Sequence, residues 1–376
     1  MDFEFEVLPV LIVLFCVLAA WLAVWRMRSL GKKELPDLRK VLEGVALVVI
    51  LVVALGVGAS SGINAVLLHH FKADEMPGQL YTVNGHAMRM ECMGSGEPTL
   101  VLDAGLGNDG LIWGGVQPVL AKTTRVCSYD RAGFGWSETL APPRDADHIA
   151  EELHGLLAAA KVDGPVVLMG HSIAGIYIRD YATRYPAQVA GLIFVDGSTP
   201  LQMRNPAFSA LNRQGPPLWL AMLLSKGALA VGMPRLFGGC TRGFPGFDAE
   251  RAKLQAQDQC MAHIDAIQKE TDSIDRSGEE TVHTGPYGEL PILIFSQDPA
   301  VEAAQPRMSA VAQAWNQMQE DLKKLSTRSR RIIANGSGHY VQLKRAGLIE
   351  KEVPVFIDEI RGTAPKRTDY GTTVKQ

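Results

Sequence analysis

The sequence predicts an α/β protein in which a mostly parallel β-sheet carries helices on both faces. From about residue 79 onward, short apolar runs alternate with segments of helical periodicity, as is typical of parallel sheets that are covered on both sides. Within this alternation, an apolar run at 166–169 enters the turn Gly170-His171-Ser172-Ile173-Ala174-Gly175, and a helical segment follows directly. Upstream, two long uncharged runs predict a helical hairpin in a membrane.

Composition limits the classes of function. The 376 residues are enough for one large α/β domain with an appendage. The net charge of -3 offers no basic surface for nucleic acid. The five cysteines are too few for a disulfide-built scaffold and lack the spacing of zinc ligands, so we expect no metal.

The N-terminal segment, residues 1–76, is predicted to be a membrane anchor. Residues 7–25 and 44–68 contain no charged side chain, and each run is long enough to cross the hydrocarbon layer as a helix. Trp21 and Trp25 stand near the end of the first run, where interfacial aromatic residues are common. The alternative is two buried core helices, but a soluble domain rarely buries two such runs side by side.

The charge of the linker predicts the orientation of this anchor. Two acidic residues, Glu34 and Asp37, are outnumbered in the linker by basic ones, which are Arg26, Arg28, Lys32, Lys33, Arg39 and Lys40. Positive loops stay in the cytoplasm, and the acidic start with Asp2, Glu4 and Glu6 does not compete. The rest of the chain is therefore expected in the periplasm or outside the cell. If the second run instead acts as a cleaved signal, the domain is exported all the same.

The first half of the predicted core begins with a hairpin. Its strands, residues 81–83 and 87–93, flank Asn84-Gly85, a strong turn signal. The next strand, 99–103, runs into a glycine-rich loop at 104–110. We then expect strands at 125–129, 166–171 and 191–195, with helices at 147–160 and 176–185.

A long insertion, residues 199–285, interrupts the alternation. It is rich in Pro, Gly, Leu and Met, with helical pieces at 217–229 and 248–271, and it is a candidate lid. The core, 77–198 and 286–362, then resumes with strands 291–296 and 330–334 and helices 307–325 and 343–361. The polar tail, 363–376, is expected to fray.

Ser172 is the candidate nucleophile because a strand-turn-helix context raises its hydroxyl above the sheet. A serine needs a base, and the base needs a carboxylate to orient it. His339 follows the last predicted strand in a glycine-rich loop, and Asp298 follows the strand before it. Asp196 also follows a strand end and is the alternative acid. His171 is expected to be a packing residue of the turn.

Acyl transfer also requires donors for the developing oxyanion. The backbone N–H of Ile173 follows the nucleophile at a helix N-terminus, where the helix dipole favours negative charge. The glycine-rich loop should supply the second donor, and we expect it to be the N–H of Leu106. Glycines suit this loop because larger side chains would block the substrate carbonyl.

Three motifs carry a family resemblance: Tyr129-Asp130-Arg131-Ala132-Gly133-Phe134-Gly135-Trp136-Ser137, the turn around Ser172, and Gly338-His339-Tyr340. Through them the sequence resembles the α/β-hydrolase family over about residues 79–361. The resemblance implies hydrolysis of an ester, thioester or amide through an acyl-serine, without a cofactor. Ala104-Gly105 replaces the His-Gly that is usual in the family's oxyanion loop. Epoxide hydrolases and haloalkane dehalogenases of this fold carry aspartate at the nucleophile position, so Ser172 argues against both reactions.

The apolar insertion and the anchor favour a lipid-like or hydrophobic small-molecule ester as substrate. A peptidase, amidase or acyltransferase with the same triad is an alternative, and so is a membrane-anchored binding protein without turnover. In an oxidising compartment, Cys240 and Cys260 could form a disulfide within the insertion. Cys92 and Cys127 are expected to be buried thiols.

Overall fold

The computed structural model describes residues 7–30, 37–74, 76–212, 217–261 and 263–376. Within the predicted linker, Lys32, Lys33 and Glu34 lie outside these residues, as do the acidic residues of the N-terminus, Asp2, Glu4 and Glu6. The chain forms two compact units. The helical unit comprises 1–76, 217–242 and 256–262, and the sheet unit comprises 77–216, 243–255 and 263–376.

The secondary structure alternates as expected. The strands are β1 (Gln79–Val83), β2 (His86–Met93), β3 (Leu100–Asp103), β4 (Val126–Tyr129), β5 (Val166–His171), β6 (Val189–Val195), β7 (Ile292–Ser296), β8 (Ser329–Ile333) and β9 (Thr373–Lys375). The helices are α1 (Leu8–Leu30), α2 (Asp37–Asp74), α3 (Gln117–Leu120), α4 (Ala146–Ala159), α5 (Ala174–Arg184), α6 (Pro206–Asn212), α7 (Leu218–Ala230), α8 (Met233–Leu236), α9 (Ala249–Asp258), α10 (Ile264–Asp272), α11 (Ile274–Thr281), α12 (Pro299–Ala303), α13 (Ser309–Asp321), α14 (Val341–Lys344) and α15 (Ala346–Arg361).

The sheet is mostly parallel, which confirms the predicted fold class. Its strand order is β1-β2-β4-β3-β5-β6-β7-β8-β9. The β1–β2 and β2–β4 pairs are antiparallel, and every other pair is parallel. The predicted hairpin turn is present, since Asn84 and Gly85 both have positive φ, 51° and 86°, as a type I′ turn requires.

Two hydrophobic cores lie on opposite faces of this sheet. Successive strand residues point to opposite faces, so Val101 and Leu168 pack in one core and Leu102 and Val167 in the other. Both faces are buried, which explains why the central strands read as continuous apolar runs.

The C-terminal tail forms an edge strand, although the sequence predicted fraying. β9 runs parallel to β8, with Thr373 paired to Arg331. The N–H of Asn335 also donates to the carbonyl of Gln376 at 2.7 Å. Backbone hydrogen bonds attach this strand, and Val374 adds one apolar contact with the core. A hydropathy pattern does not register backbone hydrogen bonds, and a single apolar residue among polar neighbours gives no strand signal.

In the helical unit, α1 and α2 are both long and apolar enough to cross a bilayer, over Leu8–Leu30 and Leu38–Lys72. The two helices approach closely through small residues. Cys16, Ala20 and Ala54 are buried together, and a Cβ at Gly58 would lie 3.1 Å from the Cβ of Cys16. Small residues at such a contact are typical of helices that associate in membranes.

α2 is longer than the apolar run that predicted it. It has 38 residues, which corresponds to about 57 Å, whereas a bilayer's hydrocarbon layer is about 30 Å thick. An ion pair near the start of α2 joins it to α1, with Nε of Arg26 2.6 Å from Oε1 of Glu43.

The predicted insertion, 199–285, is divided between the two units. Residues 217–242 and 256–262 belong to the helical unit, and the remainder belongs to the sheet unit. The single helix expected over 248–271 is broken into α9 and α10, and His263, which precedes α10, has a φ of 44°.

The structure contains two disulfides. Within the helical unit, Cys240 is joined to Cys260, with a Cα–Cα distance of 5.7 Å. In the sheet unit, Cys92 is joined to Cys127 with a Cα–Cα distance of 4.0 Å. The expectation of two buried thiols at 92 and 127 is therefore wrong. These residues face each other across the β2–β4 pair, and the sequence does not reveal that pairing of non-consecutive strands.

Candidate active site

Ser172 lies in a sharp turn between β5 and α5. Its φ is 53°, a left-handed conformation that a non-glycine residue adopts only when its surroundings enforce it. The turn is held by the N–H of Ser172, which donates to the carbonyl of Val195 at 3.2 Å, and by the carbonyl of Ser172, which accepts from the N–H of Ser198 at 2.7 Å. A Cβ at Gly170 would lie 2.9 Å from the Ala174 carbonyl, so this position requires glycine.

His339 is hydrogen-bonded to Asp196. Its Nδ1 lies 2.6 Å from Oδ2 of Asp196, and the aspartate is fully buried whereas the side chain of the histidine is 37% exposed. The ring of His339 also packs edge-on against Trp315, with the centroids 5.7 Å apart. A carboxylate on Nδ1 leaves Nε2 as the atom that is able to exchange a proton.

Asp196 is itself fixed by two donors. Its Oδ1 accepts from the N–H of Gln297 and from Nε1 of Trp315, both at 2.9 Å. The residue directly follows β6, the strand next to β5, and its φ of 47° turns the side chain out of the strand direction. Aspartate tolerates this left-handed conformation better than most residues do.

Asp298, the acid preferred from the sequence, makes other contacts. Its Oδ1 caps α12 through the N–H of Ala300 at 3.1 Å. Its Oδ2 accepts from the N–H of Gly336 at 3.0 Å and from Nζ of Lys375 at 2.8 Å. Within the described part of the chain, the carboxylate that contacts His339 is that of Asp196, so the expected Asp298–His339 contact is corrected. Both carboxylate oxygens of Asp298 already accept hydrogen bonds from these nearby donors.

The same contacts shift the protonation of Asp298 and brace the histidine loop. Burial raises the pKa of Asp298, but the hydrogen bonds from Lys375, Gly336 and Ala300 outweigh burial and hold that pKa below its usual value. The N–H of Asp298 donates to the carbonyl of Ser337 at 2.9 Å. Asp298 thus supports the loop that carries His339.

The hydroxyl of Ser172 is not hydrogen-bonded to His339 among the described residues. In active sites without substrate this contact is often long, and it tightens when substrate binds. The structure therefore places His339, hydrogen-bonded to Asp196, close to the turn of Ser172 but without a hydrogen bond to the serine hydroxyl.

The two predicted oxyanion donors are available. In the described part of the chain, the N–H groups of Leu106 and Ile173 donate to no other protein group. Ile173 stands at the N-terminus of α5, where the helix dipole favours an anion. Gly105 allows the loop to approach the nucleophile, because a Cβ there would lie 2.6 Å from Nδ1 of His171 and 3.2 Å from Cβ of Ser172.

His171 lies between the glycine-rich loop, residues 104–110, and the loop that carries His339. Its Nε2 lies 3.2 Å from the carbonyl of His339, and since a carbonyl only accepts, Nε2 carries the proton. Burial, with a smaller effect of the nearby His339, holds the pKa of His171 well below its usual value. The ring is therefore neutral, and it packs 4.7 Å from that of His339, in keeping with the expected packing role.

Arg131 holds the glycine-rich loop through two of its backbone carbonyls. The buried guanidinium donates to the carbonyls of Ala104 at 2.5 Å and Gly105 at 3.2 Å. It also binds Asp103 at 2.7 Å and forms two hydrogen bonds with Glu270, at 2.7 and 2.9 Å. Two carboxylates compensate the buried cation, and the geometry of these bonds fixes the loop backbone.

Asp130 ties the other end of the same loop. Its Oδ1 accepts from the N–H of Gly110 at 2.9 Å and from Nη1 of Arg89 at 3.0 Å. The adjacent residues Asp130 and Arg131, which follow β4, thus hold the two ends of the same loop. Sequence reasoning noted the motif but missed this role, and Glu270 gave no signal because it lies 139 positions away.

Known proteins resemble this chain over parts of its length. An uncharacterized protein of Schizosaccharomyces pombe is 31% identical over 198 residues, which cover 44% of this chain and 36% of that protein. A protein of Pantoea ananatis, provisionally named the carbamate hydrolase RutD, is 36% identical over 104 residues, 27% of this chain and 38% of that protein. The chain thus spans less than half the length of either of these relatives.

Solved structures share the fold. That of a bacterial membrane phospholipase A superposes with a TM-score of 0.58 at 22% identity, covering 84% of this chain and 98% of that chain. At this identity, the likeness concerns the fold alone. A model of the alpha/beta hydrolase family matches residues 100–351, a range that contains Ser172, Asp196, Asp298 and His339, and the chain therefore belongs to that family.

Proposed function

We propose that this family member is a membrane-anchored serine hydrolase that cleaves an ester through an acyl-serine intermediate. Ser172 is the nucleophile, His339 the general base and Asp196 the carboxylate that orients His339. The N–H groups of Leu106 and Ile173 form the oxyanion hole. The observation that carries the proposal is the 2.6 Å contact between His339 Nδ1 and Asp196 Oδ2 beside the strained turn of Ser172.

The reaction proceeds in two halves. Nε2 of His339 takes the proton from the hydroxyl of Ser172 as Oγ attacks the substrate carbonyl, and the oxyanion binds to the two N–H groups. The same nitrogen then protonates the leaving alcohol, and an acyl-serine remains. Water, deprotonated by His339, attacks this ester and releases the acid. The mechanism requires no cofactor.

The anchor and its orientation are parts of the same proposal. The lengths and apolar character of α1 and α2 support membrane insertion. The basic linker residues favour a cytoplasmic linker and a catalytic domain on the opposite side. The disulfides Cys92–Cys127 and Cys240–Cys260 support that side, because disulfides persist in oxidising compartments. A reporter enzyme that is active only outside the cytoplasm, fused after Ala73, should be active. An inactive reporter would indicate the opposite orientation.

A carbamate or amide is the second candidate substrate class. One matched relative carries the name of a carbamate hydrolase, and acyl-serine chemistry serves C–N as well as C–O bonds. An acyltransferase would use the same residues but needs an acceptor that outcompetes water.

A fluorophosphonate probe tests the proposal directly. We expect the wild-type chain to be labelled and the Ser172→Ala variant to remain unlabelled. A binding protein without turnover would give no label in either case. Hydrolysis of p-nitrophenyl esters of rising chain length, compared with aminoacyl anilides and aryl carbamates, then assigns the substrate class. The proposal of an ester hydrolase fails if only anilides or carbamates are cleaved.

A further inference from the structure

Helix α7 and the short helix α8 expose an apolar surface within the helical unit. Their segment, residues 217–237, contains only two charged residues, Lys226 and Arg235. Large side chains on this segment are exposed, with Leu224 at 64% and Phe237 at 82%; others are Trp219, Leu223, Met233 and Leu236. Several large apolar side chains exposed on one short segment indicate a contact with lipid or with another protein.

The carboxyl end of α7 is capped by side chains of α2. The last carbonyls of a helix have no partner within it and usually bind water. Here Asn64 Nδ2 donates to the Leu229 carbonyl at 3.0 Å, Ser61 Oγ to that of Ala230 at 2.8 Å and Ser60 Oγ to that of Val231 at 2.6 Å. Three consecutive carbonyls are therefore satisfied without water, as a helix end in a membrane requires.

These three polar residues lie within the apolar run of α2. Ser61 and Asn64 are buried, and hydrogen bonds from such residues commonly join helices in membranes. Nε of Arg235 also donates to Oδ1 of Asn64 at 3.1 Å, so the guanidinium has a hydrogen-bond acceptor at the same contact. The exposed surface of α7 and α8 is thereby attached to a helix that is itself exposed and apolar, with Val52 62% accessible.

The length of α7 determines how it could occupy a bilayer. Its 13 residues correspond to about 20 Å, which is too short to cross a hydrocarbon layer of about 30 Å. Such a helix lies in the interface or enters one leaflet.

We propose that α7 and α8 insert into the leaflet at the carboxyl end of α2, with the acyl chains of phospholipids covering Trp219, Leu224 and Phe237. This inference rests on the membrane anchoring proposed above. It assigns part of the apolar insertion to the membrane, as a third lipid contact besides α1 and α2.

Lipid and aqueous quenching of a site-specific fluorophore test this assignment. The full chain, with Cys16→Ala and both disulfides intact, is placed in phosphatidylcholine nanodiscs and labelled with an NBD group at Leu224→Cys. Phe15→Cys in α1 serves as the lipid reference, and Val355→Cys on α15, another exposed apolar position, serves as the aqueous reference. Trp219→Cys repeats the measurement should Leu224→Cys fold poorly, and fluorophosphonate labelling reports the state of the catalytic domain.

We expect doxyl lipids to quench the Leu224 probe several-fold more than the Val355 probe, and iodide to quench it less. If the Leu224 probe behaves like the Val355 probe while the Phe15 probe is quenched by lipid, the anchor stands and the inference fails. If all three probes respond to iodide alone, both fail. Protection of Leu224 from both quenchers would mean that a protein surface covers it, which also overturns the inference. If fluorophosphonate does not label the wild type, the catalytic proposal fails but the quenching result remains valid.

Discussion

Nδ1 of His339 lies 2.6 Å from Oδ2 of Asp196, although 143 positions separate the two residues. Asp196 directly follows β6, and Ser172 directly follows β5, the neighbouring strand. The positions of Ser172 and Asp196 relative to each other therefore depend on the pairing of β5 with β6. His339 lies in the loop after β8.

We expect Asp196→Asn to lower kcat for ester hydrolysis by about 10³- to 10⁴-fold, because an amide cannot hold the productive histidine tautomer. Asp298→Asn is the matched control, and it should change kcat only a few-fold, since Asp298 caps α12 and braces a loop. Steady-state kinetics on both variants, with thermal melts to verify folding, make the comparison. A larger loss of kcat in Asp298→Asn would show that Asp298, not Asp196, orients His339.

Gly105→Ala should reduce kcat by about 10²- to 10³-fold, the effect expected when an oxyanion donor is misplaced. The added Cβ would meet Nδ1 of His171 at 2.6 Å and displace the loop that presents Leu106. Gly347→Ala, where a Cβ meets nothing within 4 Å, should leave kcat unchanged. Equal activity of the two variants would exclude a close approach of the loop to the nucleophile.

Arg131→Met should destabilise the protein by about 3–5 kcal/mol, because Asp103 and Glu270 would remain buried without their cation. Chemical denaturation followed by tryptophan fluorescence measures the loss. The exposed pair Arg204–Glu279 provides the control, and Arg204→Met should have little effect. An Arg131→Met variant as stable as the wild type would show that the guanidinium does not anchor the loop.

The stability of the protein should fall as the pH is lowered below about 6.5, partly because of His171. Burial holds the pKa of His171 below its usual value, so the unfolded chain binds a proton that the folded chain does not. The slope from this residue is at most about 1.4 kcal/mol per pH unit. His171→Gln should flatten the profile between pH 6.5 and 5, whereas His86→Gln, at an exposed position, should not. An unchanged slope in His171→Gln would show that His171 is protonated in the fold.

The sequence predicted much of the sheet because its signals are local. The hairpin at Asn84-Gly85, the strand before Ser172 and the strand before His339 each follow from a short pattern of apolar and turn residues. Motif order also located Ser172 and His339 in loops that the structure places at strand ends.

The choice of acid could not be made from sequence. Asp196 and Asp298 both follow apolar strands, and what distinguishes them is which donors reach each carboxylate. Lys375, from a tail without any strand pattern, reaches Asp298, whereas Trp315 reaches Asp196 from α13. Contacts across 77 positions or more leave no local trace, and the same holds for Glu270, which binds Arg131 next to the glycine-rich loop.

The left-handed backbone at Ser172 and Asp196 (φ 53° and 47°) also bears on how this chain can evolve. Each such residue costs about 1–3 kcal/mol of folding stability, and the rest of the molecule must compensate. A descendant that no longer needed turnover could accept glycine at both positions and become more heat-resistant. Selection for folding stability therefore favours glycine at these two positions, whereas selection for catalysis favours serine and aspartate.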